Sequence, residues 1–440
     1  MLRFTPLIPF LLVLHSQDLQ ATKLDLGVEY RLRGLSYSNP DFDSSTSDTQ
    51  AFYSQRAFLG FSLKNIVLGN YGGETQDLDV TLRLQALSIA GSSSPVKAPF
   101  DRIGSRYPNT NFTPWVQNAY LKASNLFGFP WQLIIGRQPL ILGSGLILSD
   151  DDLGTTAIKA EIPFSTRWID LESQIFTAKS SESQTGDRDL DLHGLSFKIP
   201  SEGVWELAYL LERDKSQPAI KSSVKNFFSL RYSLEWDQIS FDGESAWQQG
   251  TAKSAAQGQS DTRISGNAVK VQGAWRQPVS HYGEGKARLL FGFGSGDKSS
   301  TLSKDESFFP SLGHRFNGLE RSGFGEFYGA SLYDALGGSS TTARGLPPGA
   351  SGIQVVGLGI TLPPWKKITL DLDYFVFHAQ KVASGNRSLG SEFDSRLSYS
   401  LQDKLFFSLT AALFSPGEGS RTGPNKSSAK RLKIEATGRF

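Results

Sequence analysis

Apolar and polar residues alternate with a period of two along most of this chain. In Leu24–Tyr37, Leu24, Leu26, Val28, Tyr30 and Leu32 share one parity and Asp25, Glu29, Arg31 and Arg33 the other. Successive side chains of an extended backbone point to opposite sides, so the stretch reads as a strand with one apolar and one charged face. In Ala51–Lys64, Tyr53, Ala57, Leu59, Phe61 and Leu63 alternate with Ser54, Arg56, Gly60 and Ser62. In Asp77–Ile89, Leu78, Val80, Leu82 and Leu84 oppose Asp79, Thr81, Arg83 and Gln85. Similar segments are Trp115–Ala123, Trp131–Leu142, Arg167–Ala178, Leu190–Ile199, Trp205–Arg213, Phe227–Trp236, Ile239–Trp247, Ala268–Arg276, Ala287–Phe293, Ile353–Leu362, Ile368–Phe377, Glu392–Leu401 and Leu405–Phe414. The chain ends on another, Arg431–Phe440, with Leu432, Ile434, Ala436 and Phe440 on one face and Lys433, Glu435, Thr437 and Arg439 on the other.

The connections between segments alternate, unevenly, between tight turns and long loops. Trp236-Asp237-Gln238 and Leu401-Gln402-Asp403-Lys404 are turns, while 91–110, 250–266 and 295–325 are rich in Gly, Ser and Asp. Trp131, Trp205, Trp236, Trp247, Trp275 and Tyr399 recur near strand ends, as in the aromatic girdles of membrane barrels. No fixed repeat period marks a propeller or solenoid. Residues 1–21 have a positive start at Arg3 and an apolar run from Leu7 to Leu14, the pattern of a signal peptide. Beyond it no apolar run is long enough for a transmembrane helix, and a chain of amphipathic strands satisfies its backbone in hydrocarbon only as a closed barrel. At ~9–11 residues per tilted strand the mature chain, 22–440, holds roughly 16–20 strands. The predicted fold is therefore all-β: a transmembrane antiparallel β-barrel of about 18 strands, with short periplasmic turns, long extracellular loops and an aqueous lumen.

Composition narrows the chemistry. The 45 basic and 43 acidic residues nearly cancel, which argues against nucleic acid as a partner. With no cysteine there are no disulfides, thiolate zinc sites or cysteine nucleophiles. No HExxH, phosphate-binding loop or nucleotide-binding context occurs. His314 and Asn317 are the closest approach to a hydrolase arrangement but have no Ser at motif spacing, so the chain is not expected to be an enzyme or to carry a cofactor. Asp41 with Asp43, and Ser149–Asp152, read as solvated turns rather than metal sites. Gly292, Gly294 and Gly296, and Gly323, Gly325 and Gly329, read as turn or bulge glycines.

Three stretches go beyond periodicity. Trp131-Gln-Leu-Ile-Ile-Gly-Arg-Gln138 followed by Leu142-Gly-Ser-Gly145, Gly294-Ser-Gly-Asp297 with Ser307-Phe-Phe-Pro310, His314 and Gly318, and Leu389-Gly-Ser-Glu-Phe-Asp394 with Tyr399 and Phe414-Ser-Pro-Gly417 occur in that order. This order resembles the alginate-export family of Gram-negative outer-membrane barrels. The resemblance implies an 18-stranded barrel that lets a polysaccharide or other polar solute cross the outer membrane, past a constriction lined by Arg and Lys. A final strand ending in an aromatic likewise resembles the closing strand that the barrel-insertion machinery recognises, which makes Phe440 the candidate assembly signal.

With the apolar faces turned to lipid, the charged faces line the lumen. The inward cations are then Arg31, Arg33, Arg56, Arg83, Lys122, Arg231, Lys270, Lys286, Arg288 and Arg396. Guanidinium groups across a pore concentrate anions and bind carboxylates through paired donors. The alternative for each is an ion pair with Asp25, Glu29, Asp79, Asp170, Glu172, Glu392 or Asp394 that stiffens the wall. Glu392 and Asp394 share a face with Arg396, and ion pairing is expected there rather than acid–base work. By alternation Arg137 falls on the lipid side; a bulge near Gly136 is expected to turn it inward, where the family motif places a functional arginine. The expected partners are outer-membrane lipid, the insertion machinery and an anionic polysaccharide or other polar solute, with the protein a monomer. The other reading is a plugged or non-conducting barrel whose long extracellular loops bind a partner.

Overall fold

The computed structural model describes residues 22–43, 45, 49–90, 111–150, 152–166, 170–181, 189–216, 222–253, 260–279, 283–298, 303–311, 323–336, 345–420 and 427–440. The signal peptide, and His314 and Asn317, lie outside them. The barrel strands are β1 (Lys23–Ser38), β2 (Thr49–Tyr71), β3 (Glu74–Ala90), β4 (Trp115–Ser124), β5 (Gln132–Gln138), β6 (Thr155–Ser165), β7 (Asp170–Ser181), β8 (Leu190–Pro200) and β9 (Val204–Asp214). The second half continues with β10 (Ser223–Trp236), β11 (Ile239–Ala252), β12 (Thr262–Val279), β13 (Gly283–Gly294), β14 (Ala350–Thr361), β15 (Ile368–Val382), β16 (Ser388–Leu401), β17 (Leu405–Pro416) and β18 (Ala429–Arg439). Each pairs antiparallel with its chain neighbours, and β1 also pairs with β18, from Glu29 opposite Arg439 to Ser38 opposite Lys430. The sheet is therefore closed, with 18 strands and no free edge. Two-residue ladders, Ile141–Leu142 with Leu148–Ser149, and Lys304–Asp305 beside β12, lie outside this ring.

The alternation seen in the sequence becomes the two faces of the wall. Leu24, Leu26, Val28, Tyr30 and Leu32 are 40–65% exposed on the outside. A belt of such residues around the whole barrel has lipid as its solvent. Five of the eight tryptophans, Trp131, Trp205, Trp236, Trp275 and Trp365, stand outward at the short-turn end, so the tryptophan girdle is concentrated on one rim.

β6 is absent from the expected strands, which passed from Trp131–Leu142 directly to Arg167–Ala178. Ile158, Ala160, Ile162 and Phe164 alternate outward correctly, but Pro163 lies within the run and masks it. Proline is tolerated here at the turn end of the strand, where it faces Glu172.

The aqueous lumen expected of a barrel this wide is also corrected. In the half nearest the long loops the interior is packed: Tyr37, Phe52, Leu87, Leu192, Phe227, Phe377 and Phe414 are at most 2% exposed although they point inward. Segments 139–154 and 323–336 fold back into the barrel and bury them. The half nearest the short turns keeps the charged lining.

Candidate functional site

The charged lining is densest on β1–β3. Arg31 on β1 is directly opposite Arg56 on β2, and Arg33 follows one pleat later. The Arg56 and Arg83 guanidinium groups lie 4.5 and 4.1 Å from the centre of the Phe58 ring, a stacking that arginine makes readily. Glu29 bonds both Arg56, at 3.4 Å, and Arg439, at 3.1 Å, and Arg33 lies 3.9 Å from Glu435. Across the lumen Arg288 bonds Asp373 at 2.8 Å, Asp371 at 3.3 Å and the Thr361 hydroxyl, while Arg231 bonds Asp242. A vestibule of about 620 Å³ at the short-turn end is bordered by Arg231, Arg276, Lys286, Arg288, Glu235 and Asp242.

Segment 139–154, between β5 and β6, forms the first constriction. Leu140, Leu142, Ile147 and Leu148 are buried, and its tip is pinned to the wall by two glutamates. Glu206 accepts from the Gly143 N–H at 3.0 Å; Glu244 Oε2 accepts from the Ser144 N–H at 2.8 Å and its hydroxyl at 2.5 Å. Gly143 has φ +61, which favours glycine, and a Cβ there would fall 2.4 Å from Glu244 Oε1 and push the anchoring carboxylate aside. Asp150 closes the segment's base by accepting from Leu140 N–H and Gly154 N–H at 3.2 and 3.1 Å. Burial pushes its carboxyl above the ordinary value.

Segment 323–336 forms the second constriction against β15–β18 and β1. Phe327 and Tyr328 enter an aromatic cluster, with ring centres 5.8 and 4.7 Å from Phe414 and Phe327 6.1 Å from Tyr37. The backbone N–H of Glu326 donates to Asp394 at 2.9 Å, and those of Phe327 and Tyr328 donate to Glu392. The Glu326 carboxylate meets three cations: Arg396 at Oε1, and Arg431 at 3.2 Å and Lys433 at 2.9 Å at Oε2. Burial pushes this carboxyl up, but Arg431, Lys433 and Arg396 together hold it well below the ordinary value. Beside the two segments a third stretch, 303–311, also reaches inward, where Ser311 N–H donates to the Ile147 carbonyl at 3.1 Å. A cavity of about 340 Å³ lies between the two segments, bordered by Ser144, Leu146, Lys270, Phe324, Leu332 and Tyr333.

Residues 22–433 match the family described as alginate export. The chain belongs to the alginate export family. It is an outer-membrane channel for solutes, in the outer membrane of a Gram-negative bacterium. Among solved structures it is similar to OccAB4 of Acinetobacter baumannii, at 11% identity and a TM-score of 0.56, over 94% of this chain and 98% of that one. It is also similar to OccK8 (OprE) of Pseudomonas aeruginosa, at 12% identity and a TM-score of 0.53, over 95% and 98%. At these identities the likeness concerns the fold. No curated protein matches the chain.

In this alginate-export barrel Arg31, Arg33, Arg56, Arg83, Arg231, Arg288, Glu392, Asp394 and Arg396 all stand on the inward face. Arg137 does not. The ladder runs through Gly136 without a bulge, and Arg137 is paired with Ala119 and Thr156, both exposed outward. It escapes the cost of a lipid-facing charge by lying at the long-loop rim, where Nε donates to the Val116 carbonyl at 3.1 Å and Nη2 to that of Leu153 at 2.7 Å. Glu392, Asp394 and Arg396 serve the inserted segment: the carboxylates take its N–H groups and the guanidinium takes Glu326.

Glu326 and Glu244 escaped the sequence reading, but one signal pointed to their segments. Gly292 and Gly294 are not turn glycines; they alternate on the inward face of β13, where Cβ atoms would meet the Leu332 side chain at 2.6 Å and its carbonyl at 2.2 Å. Glycine at alternate lumen positions marks a wall against which another backbone lies.

Proposed function

We propose that the channel passes a polar, anionic solute, of which an acidic polysaccharide is the leading class, with the β1–β3 arginines setting charge selection. The observation that carries this is the placement of Arg31 directly opposite Arg56, with Arg33 and Arg83 beside them. Four guanidinium groups crowded on one inward patch raise the local potential and draw anions into the lumen. Family membership supports the same solute class. The arginines select by charge and transform nothing. In planar bilayers the wild-type channel is expected to favour anions, and the triple variant Arg31→Gln, Arg33→Gln, Arg56→Gln to lose most of that preference. Cation preference in the wild type, or unchanged anion preference in the variant, would sink the proposal.

The two inserted segments support a second feature, a passage closed or narrow at rest. Silent bilayers that begin to conduct once segment 323–336 is loosened would support it. Silence after loosening would instead favour a barrel whose extracellular loops bind a partner.

A further inference from the structure

The contacts of Glu326 have the form of ligand recognition. A single carboxylate has both oxygens engaged, Oε1 by Arg396 and Oε2 by Arg431 and Lys433, with Arg431 Nη1 donating also to the Glu326 backbone carbonyl, and its donors come from two different strands, β16 and β18. The Arg431 and Lys433 side chains are 4% and 11% exposed, so the donors are held in place before any solute arrives. The Arg431 guanidinium also lies 5.4 Å from the centre of the Tyr37 ring. Convergent, preorganised donors of this kind are how proteins bind carboxylates in general. Here the carboxylate belongs to the chain itself, on a segment that forms no ladder with a barrel strand and whose Leu332 carbonyl accepts from the Ile353 N–H of β14 at 3.0 Å.

A route leads to the same donors. A cavity of about 320 Å³ is bordered by Lys367, Thr369, Arg396, Phe406, Lys433 and Glu435, among others. Lys367 belongs to the turn between β14 and β15, so the cavity runs from the short-turn, periplasmic rim to Arg396 and Lys433. A solute entering from that side meets the two cations on the face that Glu326 leaves open. Its walls carry serine and threonine hydroxyls, aromatic rings, three cations and one carboxylate, Glu435, a lining with polar and stacking partners for a hydroxylated, carboxylate-bearing chain.

We infer that Arg396, Arg431 and Lys433 form a carboxylate-binding site which Glu326 occupies at rest, and that carboxylates of a polyanionic solute arriving from the periplasmic side displace it and free segment 323–336. The inference rests on the proposed passage of an anionic solute and adds where that solute acts. Exchange of one carboxylate for another leaves the charge around the three cations unchanged. Glu392 and Asp394, which hold the N–H groups of residues 326–328, pass to water when the segment leaves. The solute thereby opens its own path, because it has differential affinity for the undocked state.

The chain has no cysteine, so a single Ala330→Cys, at a position fully buried in the docked segment, reports its release by reaction with a charged thiosulfonate reagent. In proteoliposomes, adding Glu326→Gln is expected to accelerate labelling at least about tenfold, the shift that follows loss of one charge-assisted hydrogen bond. Trigalacturonate should accelerate labelling of Ala330→Cys alone, and have no further effect when Glu326→Gln is present; maltotriose should do nothing. Monogalacturonate acting at the same concentration as the trimer supports a site for single carboxylates, and the trimer acting at far lower concentration supports one for a polymer. Labelling at the parent rate in Glu326→Gln, or acceleration by trigalacturonate that is equal with and without Glu326, overturns the inference. If Glu326→Gln does not assemble, Lys433→Gln removes one donor from the wall instead, and unchanged labelling there is equally fatal. Anion selectivity in the Arg31, Arg33, Arg56 variant is read on other strands, so failure of the selection proposal and failure of the latch are separable.

Discussion

At the scale of single residues, two glutamates decide the shape of the lumen. Glu244 is 1% exposed and takes three donors, the Ser144 N–H and hydroxyl and the Ser229 hydroxyl at 2.8 Å. Glu244→Ala leaves the Ser144 N–H buried without its acceptor, so a loss of about 2–3 kcal/mol is expected. The temperature at which the barrel loses its compact mobility on gels would show this, and an unchanged temperature would mean segment 139–154 is held by its apolar contacts alone. Glu326 gives a pH test. A carboxyl whose folded pKa lies below its unfolded one contributes fully above the unfolded value, and that contribution shrinks as pH falls below it and is gone beneath the folded value. Because the three cations hold Glu326 well below the ordinary range, the docked segment should persist through mild acid. The labelling rate of Ala330→Cys, divided at each pH by that of a solvent-exposed thiol because the thiolate is the reacting form, is therefore expected to stay constant between about pH 4.5 and 6.5, and a steep change of that ratio in the window would contradict it. Neither glutamate was legible as an anchor in the sequence: Glu244 has the parity of any lumen-side residue, and Glu326 lies among glycines and aromatics with no period around it.

At the scale of elements, strands were legible and the segments between them were not. The outward parity of Leu432, Ile434 and Ala436 on β18 was evident, and so was its closure on β1. The ladder extends to the last residue: Phe440 N–H donates to the Val28 carbonyl, and the Phe440 carbonyl accepts from the Val28 N–H, both at 2.8 Å. Phe440 itself is 69% exposed at the short-turn rim. Deleting it removes two hydrogen bonds from the closing pair and the terminal aromatic. The expected result is a several-fold drop in heat-modifiable barrel in the membrane fraction, with periplasmic accumulation of the unassembled chain; normal yield would remove its role as an assembly signal. β6 sets Ile158, Ala160, Ile162 and Phe164 outward with Pro163 among them, a case in which proline's place near a strand end matters more than its presence.

At the scale of the whole molecule, the lumen has two tiers with different physics. Near the short turns, charged side chains face water and one another, so selection by charge belongs there, and the bilayer test of the arginine triple variant belongs to this scale. Near the long loops, aromatic and aliphatic side chains face inserted segments, so passage depends on whether those segments stay docked. Period-two alternation determined the strands, their two faces, the lipid belt and the class of fold, because a strand in a membrane wall meets lipid on one side and the lumen on the other at every pleat. Which lumen residues face water and which are covered was decided only by tertiary structure. An inward Phe377 and an inward Arg31 obey the same alternation, and only the return of residues far along the chain, Glu326 to Arg431 or Ser144 to Glu244, separates a packed tier from an open one. Such contacts leave no local period, since they depend on where a long loop ends in space rather than on how its neighbours repeat.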